Sequence, residues 1–197
     1  MVNLEELHKK VLTRIPEVTD ELLRPYLKDV EQGGLDDIRD DLYYKYLTAL
    51  AMEIKPWQIV ELGAAAGGSA LMFLAGMPKD SKLYSCTLPE PEGEWRWIKE
   101  EYPNLVKVRG NDLDRLVWQG TNCYLPETDV WFIDTSHTYS QVKTELEHYG
   151  KFFKEGCLVL MDDIKLNDGM YKAWLEIEYQ KLDVSELHHS GFGLLVV

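Results

Sequence analysis

Two apolar runs that end in carboxylates constrain the fold of this chain more than any other feature. The first run, Val130–Ile133, stops at Asp134, and the second, residues 157–161, stops at Asp162 and Asp163. Short apolar runs bounded by polar residues are typical of strands buried on both faces of a parallel sheet. The residues between the runs have helical periodicity, which predicts a strand–helix–strand unit with parallel strands. The three carboxylates would then lie at the carboxyl edge of the sheet, where ligands bind, and they indicate a cation site, a proton-transfer site or both.

From residue 57 onward, predicted strands and helices alternate along the chain, which is the pattern of a doubly wound parallel sheet. The predicted strands are Gln58–Leu62, Lys82–Thr87, 106–109, Val130–Ile133 and 157–161. The predicted helices are Gly68–Gly76, a segment that carries Trp95, Ile98 and Tyr102, and residues 112–118, 140–153 and 169–181. Two final strands, 184–189 and 192–197, predict an antiparallel hairpin. We therefore expect an α/β fold with a doubly wound, mostly parallel, seven-stranded Rossmann-like sheet that ends in this hairpin.

Residues 1–55 carry helical patterns instead of alternating strands and helices. Apolar residues recur at helical spacing over residues 4–11, and Thr19 is placed to cap a second helix. A third helix buries one face made of Tyr43, Tyr46, Leu47, Leu50 and Ile54. We predict a single domain over residues 1–197, with a helical N-terminal cap (1–55) on a Rossmann-like core (56–197).

The formal net charge of −13, without any basic run, argues against partners that are polyanions. Nucleic-acid binding draws its affinity from neutralised phosphates, so we expect neither a nucleic-acid nor a membrane partner, but a small-molecule substrate. Three cysteines without a CxxC spacing argue against a disulfide framework and a zinc site. No signal-like or membrane-spanning apolar stretch is evident, so a cytoplasmic location is expected. Six tryptophans and eleven tyrosines leave room for a homo-oligomeric interface.

A turn of small residues follows the first predicted strand and opens the next helix. Gly63 and Gly67 let a ligand approach the backbone, and the helix start offers free N–H groups. Ala65 stands where a dinucleotide-binding motif would have its middle glycine, so a tight packing turn is the alternative interpretation. Glu61 is a carboxylate in an otherwise apolar strand, which is costly unless it has a partner. An ammonium group would be such a partner, which favours an amino-acid-bearing cofactor over a nicotinamide or flavin dinucleotide.

Three motifs together resemble a known family. They are Glu61-Leu-Gly-x-x-x-Gly-Gly-Ser, Phe132-Ile-Asp-x-x-His-x-Tyr and Gly156-Cys-Leu-Val-Leu-Met-Asp-Asp-Ile. The sequence from residue 57 to the C-terminus is similar to the class I S-adenosylmethionine-dependent methyltransferases. Within that class it resembles the small metal-dependent O-methyltransferase and cephalosporin hydroxylase-like group.

The resemblance implies an S-adenosylmethionine site. The residues expected beneath the methionine part of the cofactor are Gly63, Ala64, Ala65 and Gly67. Glu61 would orient the cofactor's amine, and Ser69 would contact its carboxylate end. Thr87 replaces the acid that usually holds the ribose, with Glu90 as a substitute within reach, and Asp112 matches the residue near the adenine. Asp134 would also contact the cofactor.

The resemblance further implies a divalent ion held by Asp134, Asp162 and Asp163. Oxygen ligands suit a hard cation such as Mg²⁺, and a bound cation would lower the pKa of an acceptor hydroxyl. His137 would then be the general base, with Asp134 as the other catalytic residue. The alternatives are a helix-capping Asp134, loop carboxylates bonded to backbone amides, and a His137 that only anchors its loop.

Two further groups of residues invite functional interpretations. His188 and His189 are neighbours in a predicted strand, so one would face inward and the other outward, and they would not share an ion. Tyr43 and Tyr44 are expected in the core, unless the N-terminal cap folds over the carboxyl edge and lines an acceptor site with them.

The leading hypothesis is a methyltransferase that uses S-adenosylmethionine to methylate an oxygen of a small molecule, with Mg²⁺ as a candidate aid. A catalytically weakened, methyltransferase-like binding domain is the alternative, motivated by Thr87 and Ala65. A nicotinamide-linked oxidoreductase is the third reading, which the same two positions disfavour.

Overall fold

The computed structural model describes residues 2–28, 30, 38–89 and 95–197. Within these residues one sheet of seven strands forms, in the order β3-β2-β1-β4-β5-β7-β6. The strands are β1 (Gln58–Leu62), β2 (Lys82–Thr87), β3 (Leu105–Arg109), β4 (Val130–Ile133), β5 (Leu158–Asp162), β6 (Gln180–Asp183) and β7 (Phe192–Val196).

The first five strands are parallel, and β7 runs antiparallel to both of its neighbours. This confirms the expected α/β class with a mostly parallel seven-stranded sheet and an antiparallel C-terminal pair. The position of the hairpin was predicted wrongly, because β6 covers Gln180–Asp183 rather than residues 184–189. Residues 185–187 form a 3-10 turn instead, which buries Leu187.

Six α-helices connect and cover the strands in the described residues. They are α1 (Leu4–Arg14), α2 (Asp20–Leu27), α3 (Leu42–Ile54), α4 (Gly68–Gly76), α5 (Tyr139–Tyr149) and α6 (Asp168–Leu175). Thr19 caps α2 as predicted, since its hydroxyl accepts from the N–H of Leu22. Short 3-10 helices follow Asp114, Tyr124 and Tyr149.

Two helix predictions were wrong. The segment with Trp95, Ile98 and Tyr102 forms turns over its described part, because backbone N–H groups of Trp95 and Trp97 donate to the turn after β1 instead of to a helix. The last helix ends at Leu175 rather than at residue 181. The ammonium group of Lys181 donates to carbonyls at the end of α6, at 2.8 Å to Trp174 O and 2.9 Å to Leu175 O, and so closes the helix early.

Alternate residues of the strands face two different apolar layers. On one side the sheet packs with the N-terminal helices and α4 through Ile59, Phe132, Leu160 and Leu194. On the other side it packs with α5 and α6 through Val60, Trp131, Val159 and Leu195. Strand residues are therefore buried on both faces, which is why β1, β4 and β5 are apolar runs.

The N-terminal helices share one hydrophobic cluster with the core. Tyr43, Tyr46, Leu47 and Leu50 of α3 are buried in it, as the helical pattern predicts. The first turn of α3 lies at the carboxyl edge of the sheet, because Tyr43 stacks on His188 in the loop before β7. Among the described residues no helix combines the length and the apolar character that crossing a bilayer needs.

Candidate functional site

A cavity of about 440 Å³ opens at the carboxyl ends of β1, β2, β3 and β4. Such an edge, where the strand order reverses between β1 and β4, is the usual ligand position in an open α/β sheet. Six of the predicted site residues line this cavity: Gly63, Ala65, Thr87, Asp112, Asp134 and His137.

The glycine turn after β1 brings two strand ends into contact. A Cβ atom on Gly63 would lie 1.6 Å from the carbonyl oxygen of Asp134, and φ at Gly63 is +95°. Gly67, also at φ +95°, begins α4, and a Cβ there would lie 2.8 Å from the side chain of Ile98. Ala65 is exposed at φ +41°, a left-handed conformation that glycine would adopt without strain. Ala64 is buried, and its N–H donates to the carbonyl of Cys86 at 3.0 Å.

Glu61 is fully buried beneath this turn, and neutral hydroxyl groups satisfy it. Two serines each donate to one carboxyl oxygen of Glu61: Ser69 at the start of α4, and Ser85 on β2, which is the register partner of Glu61. The indole of Trp95 donates to Ser85 at 2.9 Å. Burial raises the pKa of Glu61 to about 7, although the two serine hydrogen bonds oppose that rise. Glu61 and Ser69 therefore face each other instead of the cavity, and Trp95 is a member of this group that the sequence did not indicate.

The other end of the cavity carries Thr87 and Asp112. Thr87 ends β2 at the position where the family has an acid, and the proposed substitute Glu90 lies outside the described residues. Asp112 is buried beside Glu145 of α5, and burial raises the pKa of both, that of Glu145 to about 7. Gln141 donates to Glu145 at 2.6 Å. Within the described part of the chain, Asp112 Oδ2 and Glu145 Oε2 have no hydrogen-bond partner.

Sequence reasoning missed Glu145, although a signal was present. It lies three residues after Val142 and four before Tyr149, so helical periodicity places it on the buried face of α5. A carboxylate on such a face indicates a partner or a shared proton.

The carboxylates after β4 and β5 meet around His137. Its Nε2 atom lies 2.9 Å from Asp134 Oδ1 and 3.1 Å from Asp163 Oδ2. The loop is fixed by Asn167, which caps α6 and donates to the carbonyl of His137 at 3.0 Å. The structure thus brings together three of the residues predicted for catalysis and metal binding.

A second histidine, His188 in the loop before β7, contacts Asp162 and Asp163. Its Nδ1 atom lies 3.2 Å from Asp162 Oδ1 and 3.7 Å from Asp163 Oδ1. Asp163 has φ +58°, so the strand has ended there and both adjacent carboxylates reach the same imidazole. His188 is half-buried and His189 is exposed, so one ring faces inward and the other outward as expected, although residues 184–189 do not form the predicted strand. No local sequence signal indicated that the inner ring would join Asp162.

The tyrosines of α3 border this cluster. Tyr43 stacks on His188 with ring centroids 4.5 Å apart and an interplanar angle of 24°. Burial, and next the charges of Asp162 and Asp134, raise the pKa of Tyr43 well above its usual value. Burial and the charge of Asp134 likewise raise the pKa of Tyr44. Tyr43 therefore belongs to the core, and both tyrosines lie near the carboxylates of the edge.

Electrostatics make this cluster suited to proton exchange. Burial raises the pKa of Asp134 to about 6, while the hydrogen bond from His137 lowers it. Asp134 in turn raises the pKa of His137, and Asp162 raises that of His188. Two sets of three ligand atoms could each hold a metal ion, because the atoms within each set lie within 4.8 Å of one another. One set comes from Asp134, His137 and Asp163, and the other from Asp162, Asp163 and His188.

Comparison with known structures shows the same fold in several methyltransferases. The O-methyltransferase TomG from Streptomyces achromogenes, involved in tomaymycin synthesis and solved in complex with SAM, is 18% identical, with 100% of this chain and 99% of that chain covered and a TM-score of 0.66. The O-methyltransferase from Bacillus cereus, in complex with SAH, is 17% identical, with 91% of both chains covered and a TM-score of 0.65. SAH-bound PaMTH1 from Podospora anserina is 17% identical, with 100% of this chain and 97% of that chain covered and a TM-score of 0.65.

Sequence comparison gives the family. A comparison with curated proteins finds no match. The family profile described as "Methyltransferase domain" matches residues 60–164, just over half of the chain, from the middle of β1 to the residue after the Asp162-Asp163 pair. The chain therefore belongs to the methyltransferase domain family and has the fold of the class I S-adenosylmethionine-dependent methyltransferases.

Proposed function

We propose that this protein transfers the methyl group of S-adenosylmethionine to an oxygen of a small-molecule acceptor, with a divalent ion as an aid. The observation that carries the proposal is the continuity of the cavity. The glycine turn and Asp112 line it, and so do Asp134 and His137. A cofactor on the turn would thus share one space with the groups that activate an acceptor.

The proposed cofactor site uses the residues that line the cavity. Gly63 and Ala65, together with Gly67 behind them at the start of α4, would support the methionine part, and Thr87 and Asp112 would lie along the nucleoside. Glu61 would contribute indirectly, because it holds the start of α4 through Ser69 and so positions the helix N–H groups.

His137 is the proposed general base. His137 borders the cavity, and its Nε2 atom lies 2.9 Å from Asp134 Oδ1 and 3.1 Å from Asp163 Oδ2, two carboxylates that raise the pKa of the ring. With the ring neutral and the acceptor hydroxyl in place of one carboxylate contact, the hydroxyl would give its proton to this nitrogen. The hydroxyl oxygen would form a bond to the methyl carbon, and the carbon–sulfur bond would break to leave S-adenosylhomocysteine. Proton transfer of this kind contributes roughly 10²–10⁴-fold to the rate.

The donor set fits a divalent ion. Asp134, Asp162 and Asp163 would hold it. The ligand atoms of Asp134 and Asp163 cluster with His137, and those of Asp162 and Asp163 cluster with His188, so Asp163 joins the two groups. Asp162 Oδ1 is a buried carboxylate oxygen that accepts no hydrogen bond from the described residues. When bound, such an ion supplies Lewis acidity that lowers the pKa of a nearby acceptor hydroxyl. Three carboxylates also favour a metal cation or an uncharged or cationic acceptor over an anionic acceptor, because their summed negative charge repels anions.

A catalytically weakened binding domain is the second candidate. Thr87 in place of the ribose-binding acid and a Glu61 already satisfied by serines both favour it. In that case a ligand would bind in the cavity without methyl transfer.

Calorimetric titration with S-adenosylmethionine, with and without Mg²⁺, tests the proposal. We expect micromolar binding to the wild type, loss of binding in Asp134→Ala, and wild-type binding in Asp80→Asn, a matched control at an exposed turn residue before β2. S-adenosylhomocysteine release with a panel of phenols, catechols and alcohols then tests transfer. Absence of heat at millimolar cofactor overturns the proposal, and binding without transfer to any acceptor supports the second candidate. NADH binding in place of S-adenosylmethionine would support an oxidoreductase.

A further inference from the structure

His188 is positioned like a metal ligand, although it lies outside the three carboxylates assigned above. Its Nδ1 atom lies 3.2 Å from Asp162 Oδ1 and 3.7 Å from Asp163 Oδ1. Ligands of one ion that bind at about 2.0–2.2 Å lie up to roughly 4 Å apart. The three atoms all lie within 4.8 Å of one another, so small side-chain movements would let one ion bind all three.

The oxygen that faces His188 has that imidazole as an ion-pair partner but accepts no hydrogen bond. Asp162 is 6% exposed, and its Oδ1 atom accepts no hydrogen bond from any residue that the structure describes. The imidazole of His188 at 3.2 Å neutralises the carboxylate only when the ring is protonated. Buried carboxylate oxygens are rarely left in this state, because the lost hydration is not replaced. A cation between Asp162 and His188 would replace it.

The fold holds the imidazole in place before any ion binds. Tyr43 covers one face of the ring at 4.5 Å, and Ser190 Oγ lies 3.1 Å from Nδ1. Because β7 is antiparallel to β5, Phe192 at its start is the register partner of Asp162 at the end of β5. The residues just before β7 therefore arrive at the carboxyl edge, which is how a histidine so distant in sequence meets the aspartates.

We propose that His188 is a direct ligand of the ion in this site, and that the site consequently prefers an imidazole-binding transition ion such as Mn²⁺, Co²⁺ or Zn²⁺ over Mg²⁺. Mg²⁺ takes oxygen ligands almost exclusively, whereas imidazole suits the transition ions. This inference rests on the metal-assisted form of the proposed function. The competing arrangement is an ion held by carboxylates alone, with His188 as their ion-pair partner.

Pulsed electron paramagnetic resonance on the Mn²⁺-loaded full chain tests the ligand directly. Nitrogen bound to Mn²⁺ gives a ¹⁴N modulation in the electron spin echo, which an all-oxygen site lacks. We expect the modulation in the wild type, in His137→Gln and in His189→Gln, an exposed neighbour that serves as the matched control. We expect its loss in His188→Gln. Calorimetry should show Mn²⁺ and Co²⁺ binding at least about tenfold tighter than Mg²⁺ in the wild type, with that preference lost in His188→Gln.

Several outcomes would overturn the inference. They are Mn²⁺ binding without ¹⁴N modulation, modulation that survives in His188→Gln but disappears in His137→Gln, and absence of binding by Mn²⁺, Co²⁺ and Zn²⁺. Should His188→Gln fail to fold, His137→Gln decides, because modulation there can come only from His188 within the two sets of ligand atoms. Cofactor binding is titrated separately without metal, so a failure of the proposed methyl transfer is distinguishable from a failure of this ligand assignment.

Discussion

Glu61 and the Asp162-Asp163 pair follow the same sequence pattern but have different surroundings. Each is a carboxylate at the end of an apolar strand. Glu61 is closed off under α4, where two serine hydroxyls donate to it. Asp162 and Asp163 lie at the edge, where an imidazole faces both of them. A carboxylate that accepts only from neutral hydroxyls, such as Glu61, joins two elements of the fold. A carboxylate next to an imidazole, with an oxygen that accepts no hydrogen bond, can bind a cation or exchange a proton.

The contact between the turn after Glu61 and the end of β4 gives the largest expected effect. Gly63→Ala would place Cβ 1.6 Å from the Asp134 carbonyl oxygen, and two backbone segments would have to separate. We expect the free energy of unfolding to fall by at least about 4 kcal/mol in urea denaturation. Gly120→Ala is the matched control, since φ is +81° there but nothing lies within 4 Å of the added atom. It should cost only the strain of about 1–2 kcal/mol, and equal losses in the two variants would contradict the contact.

The closed region is tested by the pH dependence of stability. Because the pKa of folded Glu61 is raised to about 7 from 4.5, its protonated form favours the folded state. Its contribution is complete below about pH 4.5 and is lost as the pH rises through 7, which amounts to about 3 kcal/mol. Glu61→Gln keeps the shape without titrating, so the difference in unfolding free energy between wild type and variant should change by this amount from pH 4.5 to 8. Parallel profiles in chemical denaturation would show that Glu61 titrates normally.

Asp112 and Glu145 are two buried carboxyl groups whose neighbouring charges repel each other. Glu145→Gln removes a buried carboxylate whose pKa is raised to about 7 by burial and by Asp112, and it retains an acceptor for Gln141. We expect a gain of about 1–2 kcal/mol above pH 7, where the wild-type side chain would be ionised, and little change near pH 4.5. Glu147→Gln, exposed on the same helix, should change stability by less than about 0.5 kcal/mol at either pH. A loss of stability above pH 7 in Glu145→Gln would argue for an attractive role of that charge.

The smallest effect is expected at the turn itself. Ala65→Gly relieves a left-handed residue at φ +41°, but the unfolded chain gains freedom. The two terms nearly cancel, so we expect a change within about 1 kcal/mol in thermal unfolding. If S-adenosylmethionine binding is limited by this turn, its affinity should rise in the same variant. Unchanged affinity would show that Ala65 does not restrict the cofactor.

The sequence predicted the fold best where apolar runs are buried on both faces. β1, β2 and β4 begin and end as predicted, and nearly all of their residues are buried. β6 is an edge strand with exposed or half-buried residues, so Gln180–Asp183 carries no such pattern. The early end of α6 depends on Lys181, whose interaction with the last carbonyls is a tertiary contact that local propensity does not contain.

The candidate site was predictable in the parts that belong to strand ends. Asp134, Asp162 and Asp163 were expected at one edge because parallel strands end together. His188 was not expected there, since its place depends on the antiparallel register of β7 with β5. Trp95 was likewise missed, because its contact with Ser85 depends on a turn in a segment whose apolar spacing predicted a helix.

The antiparallel course of β7 has a consequence for how this fold can diversify. The connections after β1, β4 and β5 carry α4, α5 and α6, which pack on the sheet, so altering them disturbs the core. The tip before β7 only reverses the chain between two neighbouring strands, and His188–Gly191 lies in it. Exchanges at that tip would alter the surroundings of Asp162 and Asp163 while the turn after β1 keeps its contacts. Residue 188 is therefore the position at which the neighbours of these two aspartates can change without a change in a core helix.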